Sequence, residues 1–541
     1  MQSAALADAA AGIRLHFPAM RSRSPLVALL ACCLAACGSN WNEPYPGKDR
    51  DKNILYTAFT ERPKHLDPVQ SYSENEATFN AQIYEPPLQY HYLERPYALV
   101  PLTAAALPRP AYLDAAGRPA PAGSKSVAFS VYDIRIRPGI LYQPHPAFAR
   151  GADGRLLYDH LARDEVERVH ALSDFSGTGT RELTADDYVY EIKRLAHPRL
   201  HSPIFGLMTE YIVGLKEYAE TLRRADQALA ASQGREAWLD LSKYPLPGAE
   251  VVDRYTYRVK LRGKYPQFAY WLAMPFFAPL PIEADRFFSQ PGMAEKNLTL
   301  DRWPIGTGPY MLAENNPNSR MVLVRNPNFH GETYPAQGEP GDAGAGLLAD
   351  AGKPIPFIDE VVFSREKEDI PYWNKFLQGY YDSSGITSDS FDQAVRISLE
   401  GDARVTPEME EKGIRLETSV ATTTVYMAFN WLDPVVGGAS ERARKLRRAI
   451  SIAVDWEEYT VNQFEVAVVR AMAKEVINGG PQGSQAQTAG HDDHVLARHL
   501  GHRPGGAKGT PHSQWRAGAN LTNSPCDVAD VTDRPDRRNI K

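Results

Sequence analysis

Cysteine is scarce in these 541 residues. There are four, and three of them (Cys32, Cys33 and Cys37) fall within the stretch LACCLAACGSN at 30–40. The fourth is Cys526. A disulfide framework needs cysteines spread over the fold, so none is expected. No CxxC pair occurs, which excludes the usual cysteine-rich zinc sites. Beyond Cys37 no apolar run is long enough for a transmembrane helix. The chain also lacks GxSxG, HExxH and a Walker loop. Gly177-Thr178-Gly179 is too short for a nucleotide fingerprint. The acid pairs Asp186-Asp187 and Glu457-Glu458 are neighbours in sequence, and on a helix they point about 100° apart, so they do not converge on one substrate atom. A net charge of -6 argues against nucleic acid as the main partner. These absences leave little room for an enzyme.

What is present begins at the N-terminus. Met20, Arg21 and Arg23 form a short basic segment, and Leu26 to Ala36 is an apolar run of signal-peptide length. It ends in Leu34-Ala35-Ala36 just before Cys37. LAAC resembles the bacterial lipobox, which implies that Cys37 becomes the lipid-modified first residue of the mature protein. Cys32 and Cys33 are then filler in the apolar core, since free Cys packs as a small hydrophobe. Met20 is the better start. Residues 38–50, GSNWNEPYPGKDR, read as a tether.

The body has an ordinary globular composition, 43% hydrophobic and 23% charged. Its length suggests roughly two to four domains. Asn53–Phe59 reads as a first strand and Glu74–Tyr84 as a helix. Residues 127–136 alternate as a strand. Thr184 is the expected N-cap of a helix over 184–195. In RYTYRVKL (254–261), Tyr255, Tyr257, Val259 and Leu261 are expected to face one way. Residues 321–325 read as a strand, and 333–354 as a Gly/Ala/Pro-rich surface loop. Ser440 precedes a helix whose apolar stripe is Leu446, Ala449, Ile450, Ala453 and Val454. Arg442, Arg444, Lys445, Arg447 and Arg448 cover its other side as a solvated face. The mixture indicates an α/β body of several lobes.

Four fragments carry a resemblance. They are Leu66-Asp67-Pro68, then Gln82-Ile83-Tyr84-Glu85, then Gly306-Thr307-Gly308-Pro309-Tyr310 with Arg325-Asn326-Pro327 and Phe329, and last Tyr426-Met427-Ala428-Phe429-Asn430 with Leu446-Arg447-Arg448-Ala449-Ile450. In this order, behind a lipobox, they resemble the extracellular solute-binding proteins, family 5, of peptide and nickel ABC transporters. Pro86-Pro87 departs from the family's usual Gly-Leu. The glycines of the third fragment are expected to permit a tight turn.

The resemblance implies a periplasmic binding protein of type II, an α/β fold with two lobes, a closing hinge and a small extra domain. It divides the chain into a signal peptide with lipobox (1–37), a tether (38–50), a first part of lobe I (51–75), an inserted small domain (76–245), a lobe I return (246–395) and the start of lobe II (396–464). It implies capture of a peptide or other small solute, delivery to an inner-membrane ABC permease, a monomer, a periplasmic lipid-anchored location, and no cofactor. The loop before the LDP fragment, Glu61-Arg62-Pro63-Lys64, is expected to touch ligand together with Tyr426 and Asn430. Pro63 has no N–H, so the contacts differ there. The rival readings are a non-transport surface lipoprotein and a hydrolase.

Phe and Tyr stop short. All 46 Phe and Tyr residues lie in the first 464 positions. The tail 465–541 is rich in Gly, His and Arg and is expected to be out of frame or disordered, leaving lobe II incomplete and the receptor impaired. His491, His494 and His499 are weak candidates for a metal.

Overall fold

The structure, a computed structural model, describes residues 44–45, 52–95, 97–386, 388–397, 403–416, 418–419, 428–454 and 514–515. The chain divides into two units, Met1–Tyr45 and Pro46–Lys541, and all that follows concerns the second. Its principal elements, in chain order, are β1 (Ile54–Phe59), α1 (Glu74–Ile83), β2 (Ala111–Leu113), β3 (Phe129–Arg135), α2 (Ala185–Arg194), α3 (Leu215–Gln233), β4 (Ala249–Asp253), β5 (Thr256–Arg262), β6 (Tyr310–Asn316), β7 (Arg320–Arg325), β8 (Glu360–Arg365), α4 (Asp369–Leu377) and α5 (Glu441–Ala453).

Two four-stranded sheets frame the body. The first has the order β1–β8–β7–β6. β1 and β8 run parallel, and the other two pairings are antiparallel. Val361, Val362 and Phe363 are buried in succession, as are Met321, Val322 and Leu323. Such uninterrupted burial marks strands covered on both faces. The second sheet, β2–β3–β5–β4, is antiparallel throughout. Here the alternation read from sequence is obeyed: Tyr257, Val259 and Leu261 are buried, as are their β3 neighbours Tyr132 and Ile134. Burying side chains of this size contributes about 1.5–3 kcal/mol each. Tyr255 departs from the expected face. It sits in the β4–β5 turn, where its hydroxyl donates to Glu182 at 2.9 Å.

The first core spans both sheets and the helices between them. A second, smaller core gathers Trp373, Phe391, Ala394, Val395 and Met409. The chain passes from β8 into α4 through residues 366–368. The buried Glu366 carboxylate accepts from Lys375 Nζ at 2.5 Å and from the Tyr381 hydroxyl. Asp382 ties back to the edge of β1: its carboxylate accepts from Tyr56 N at 2.7 Å, and its N–H donates to Tyr56 O at 2.8 Å.

Residues 334–353 form turns, as expected, between the short paired strands Glu332–Thr333 and Pro354–Ile355. α5 starts at Ser440, whose hydroxyl accepts from Ala443 N. Its expected apolar stripe finds no core among the described residues, since only Ala443 of the helix is buried. Arg447 departs from the expected solvated face. It donates to Val436 O and Gly438 O, and its guanidinium lies 4.2 Å from the centre of the Trp431 ring.

Candidate functional site

β1 ends at Phe59 and the chain loops through residues 60–73 into α1. Ser73 is the N-cap, and Glu76, three residues on, completes a capping box. Glu76 does more than cap. One carboxylate oxygen accepts from Lys64 N at 3.0 Å and His65 N at 2.9 Å, and the other from Tyr72 N at 2.9 Å and Ser73 N at 3.2 Å. Burial pushes the acid's pKa up, but the backbone N–H groups outweigh it and hold the carboxyl below its ordinary value. Beside it, Asn75 Nδ2 donates to Arg62 O at 3.0 Å. Within the expected ligand loop, Glu61, Arg62 and Lys64 are exposed and Pro63 is buried.

A cavity of about 750 Å³ opens against this loop. Its floor is the end of β1 (Ala58, Phe59) and the β8 residue Phe363. Thr60 and Glu61 form one wall, and Ser73, Glu74, Asn75 and Thr78 a second. Asp369 and Tyr372 of α4 close the third side, with Gly385 and Ile386. Its ionisable walls are three carboxylates and the Tyr372 phenol, whose pKa burial pushes up. Parallel β1 and β8 both end here, and ligands of open α/β sheets bind outside the carboxyl ends of such strands. A larger hollow of about 1120 Å³ lies between α2 and β4 and shares no wall with the loop. Its charges are largely spoken for: Arg181 pairs with Asp187 and Glu283, and Arg254 with Glu182. The smaller cavity is the better candidate.

The motif residues brace this wall from behind. Asp67 accepts a two-pronged contact from the buried Arg194 at the end of α2. Glu85 accepts from Thr307 Oγ1 at 2.7 Å and pairs with His330 Nε2 at 2.8 Å. Asn326 donates from its backbone to Pro309 O and from its side chain to Gly308 O, both at 2.9 Å. The role of the glycines differs from a tight turn. Neither Gly306 nor Gly308 has a positive φ; instead a Cβ on Gly306 would stand 1.8 Å from Ile83 O. These glycines let the loop lie against the end of α1.

Asn430 is exposed and not a wall of the cavity. Its Oδ1 accepts from Leu432 N at 3.0 Å, closing its own turn. Tyr426, Cys37, His491, His494 and His499 lie outside the described residues. Among the described residues, no group of three His, Cys, Asp or Glu side chains is placed to hold a metal ion, and no helix is long and apolar enough to cross a membrane. Asn75, Asp369 and Tyr372 had no motif to mark them. Glu76 had one, the Ser-x-x-Glu spacing of SENE.

A strand-end crevice walled by a helix start, in a mixed α/β body, is a place where a small ligand can bind. The family model for bacterial extracellular solute-binding proteins, family 5 (Middle), matches residues 177–493, and the chain belongs to that family. Its fold class is therefore the periplasmic binding protein of type II. The match runs past Phe464, the last Phe or Tyr of the chain. The periplasmic oligopeptide-binding protein OppA of Salmonella typhimurium is 28% identical over 147 residues, covering 27% of this chain and 23% of that protein. The nickel-binding periplasmic protein of Escherichia coli is 29% identical over 116 residues, covering 21% and 20%. The matched stretches thus span under a quarter of these relatives' own length. Among solved structures, the Escherichia coli murein tripeptide binding protein MppA aligns with a TM-score of 0.45 at 16% identity, covering 76% of this chain and 58% of that one.

Proposed function

We propose that this chain is the substrate-binding component of an ABC importer. It captures a peptide or peptide-like solute in the periplasm and delivers it to an inner-membrane permease. The observation that carries this reading is the cavity at the carboxyl ends of β1 and β8, walled by the Glu61 loop and the first turns of α1. Its volume falls within the roughly 300–1,000 Å³ of small-ligand sites. β1 is the edge strand of its sheet. Asp382 already takes both backbone groups of Tyr56 on that edge, so an extended peptide meets the carboxyl end of the strand and the loop beyond it, with water filling the remaining polar contacts. Family membership supports the same function, as do relatives named for oligopeptide and nickel binding. Cys37, behind its apolar run, supplies the anchor to the membrane, and the receptor acts as a monomer.

Calorimetric titration of the full chain with tri-alanine, tri-lysine and tri-glutamate, against alanine as control, tests the reading. Saturable binding of at least one tripeptide, with none of alanine, is expected. No saturable heat from any tripeptide would contradict it. For the anchor, Cys37→Ser is expected to move the protein from the membrane fraction to the soluble one.

A further inference from the structure

The loop between β1 and α1 contains no regular structure from Thr60 to Ser73, yet it forms a wall of the cavity. Something must hold it. A single side chain reaches both of its limbs, 64–65 and 72–73. Glu76 is 2% exposed and takes two backbone N–H groups from each limb. Hydrogen bonds to a charged acceptor are roughly twice as strong as those between neutral groups. Four on one carboxylate make it a fastening shared by both limbs of the loop. Glu76 does not line the cavity. The residues that do, Glu61 on the loop and Ser73, Glu74 and Asn75 at the start of α1, stand on the backbone it fixes.

We infer that Glu76 is the positioning residue of the ligand-contacting loop: its buried carboxylate fixes the backbone that carries the Thr60–Glu61 wall in the shape that receives solute. This rests on the receptor reading above. A consequence is that the Lys64 N–H faces Glu76 rather than ligand, and the Arg62 carbonyl is held by Asn75. Since Pro63 offers no N–H, the loop meets solute through Glu61 and its flanking backbone.

Glu76→Gln keeps the size of the side chain but replaces one acceptor oxygen by a donor NH₂, which then opposes two N–H groups. Two measurements on the full chain are made together. Hydrogen exchange should show the amides of Lys64, His65, Tyr72 and Ser73 about tenfold faster or more, the loss of one charge-assisted bond. The β1 and β8 amides should keep their protection, which a general loss of stability would not allow. Affinity for whichever tripeptide the wild type binds best, among tri-alanine, tri-lysine and tri-glutamate, should fall about tenfold. Unchanged exchange at the four amides overturns the inference. So does faster exchange with unchanged affinity, and in that case the receptor reading survives. If the wild type binds none of the three, the receptor reading fails and the positioning role fails with it. Should the Gln variant not fold, Glu76→Asp, which keeps the charge on a shorter stem and cannot reach all four N–H groups, takes its place in both measurements with the same expected and overturning results.

Discussion

Arg194 grips Asp67 with two parallel contacts, Nη2–Oδ2 at 2.6 Å and Nη1–Oδ1 at 2.9 Å, in a setting where both side chains are almost wholly buried. Arg194 also meets Glu191 at 2.8 Å and lies 3.7 Å from Asp285. The LDP fragment, 127 residues away in sequence, is thereby tied to the end of α2. The contact belongs to the frame of the site, not to its ligand surface.

Removing Asp67 strips the buried Arg194 of its two-pronged partner, while Glu191 and Asp285 still face the cation. Asp67→Ala is expected to cost about 1.5–3 kcal/mol in urea unfolding, the loss of charge-assisted hydrogen bonds. A cost below about 1 kcal/mol for Asp67→Ala would show that the pair does not fasten the loop.

One cation faces three carboxylates here: Asp67, Glu191 and Asp285. Burial pushes the Glu191 carboxyl up from 4.5 to about 8, against the pull of Arg194. The native state therefore keeps a proton that the unfolded chain gives up. This contribution is fully present below about pH 4.5 and is lost as pH rises towards 8, with a slope of up to about 1.4 kcal/mol per pH unit. Urea midpoints of wild type and Glu191→Gln, compared at pH 5, 6, 7 and 8, isolate the effect. The wild type should lose stability relative to the variant as pH rises, and parallel profiles would rule out the buried proton.

Gly306 lies against the end of α1 with no room for a side chain. Gly306→Ala is expected to cost about 3 kcal/mol or more, because the contact is with backbone and the neighbour cannot rotate away. Gly123→Ala, where a Cβ meets nothing within 4 Å, should stay within about 0.5 kcal/mol. Similar melting temperatures for the two variants would contradict the close approach.

Much of the frame was legible because local rules governed it. The alternation in β5, the Thr184 cap of α2 and the Ser440 cap of α5 follow from short-range chemistry. The long helix α3 has no counterpart among the expected elements, although Leu215, Tyr218 and Leu222 make a buried stripe on it and Gly214 and Gly234 bracket it. The site was less legible. Glu61 was named from a resemblance and does line the cavity, but Asp369 and Tyr372 reach it from about 300 residues downstream through a parallel pairing of β1 with β8 that no local pattern announces. The motifs themselves are mostly braces. Asp67, Glu85, Gly306 and Asn326 tie one part of the framework to another, so the strongest sequence signals pointed to the scaffold of the site.

The central claim is that a peptide occupies the cavity between the Glu61 loop, α1 and α4. The most direct measurement places the photoreactive residue p-benzoylphenylalanine at Thr78, a wall of that cavity, and irradiates the full chain with the tripeptide it binds best. The same residue at Val251, in the larger hollow between α2 and β4, is the control. The account predicts a cross-linked tripeptide at position 78 that excess unlabelled peptide removes, and none at position 251. No cross-link at 78, or equal labelling at both positions, would contradict it.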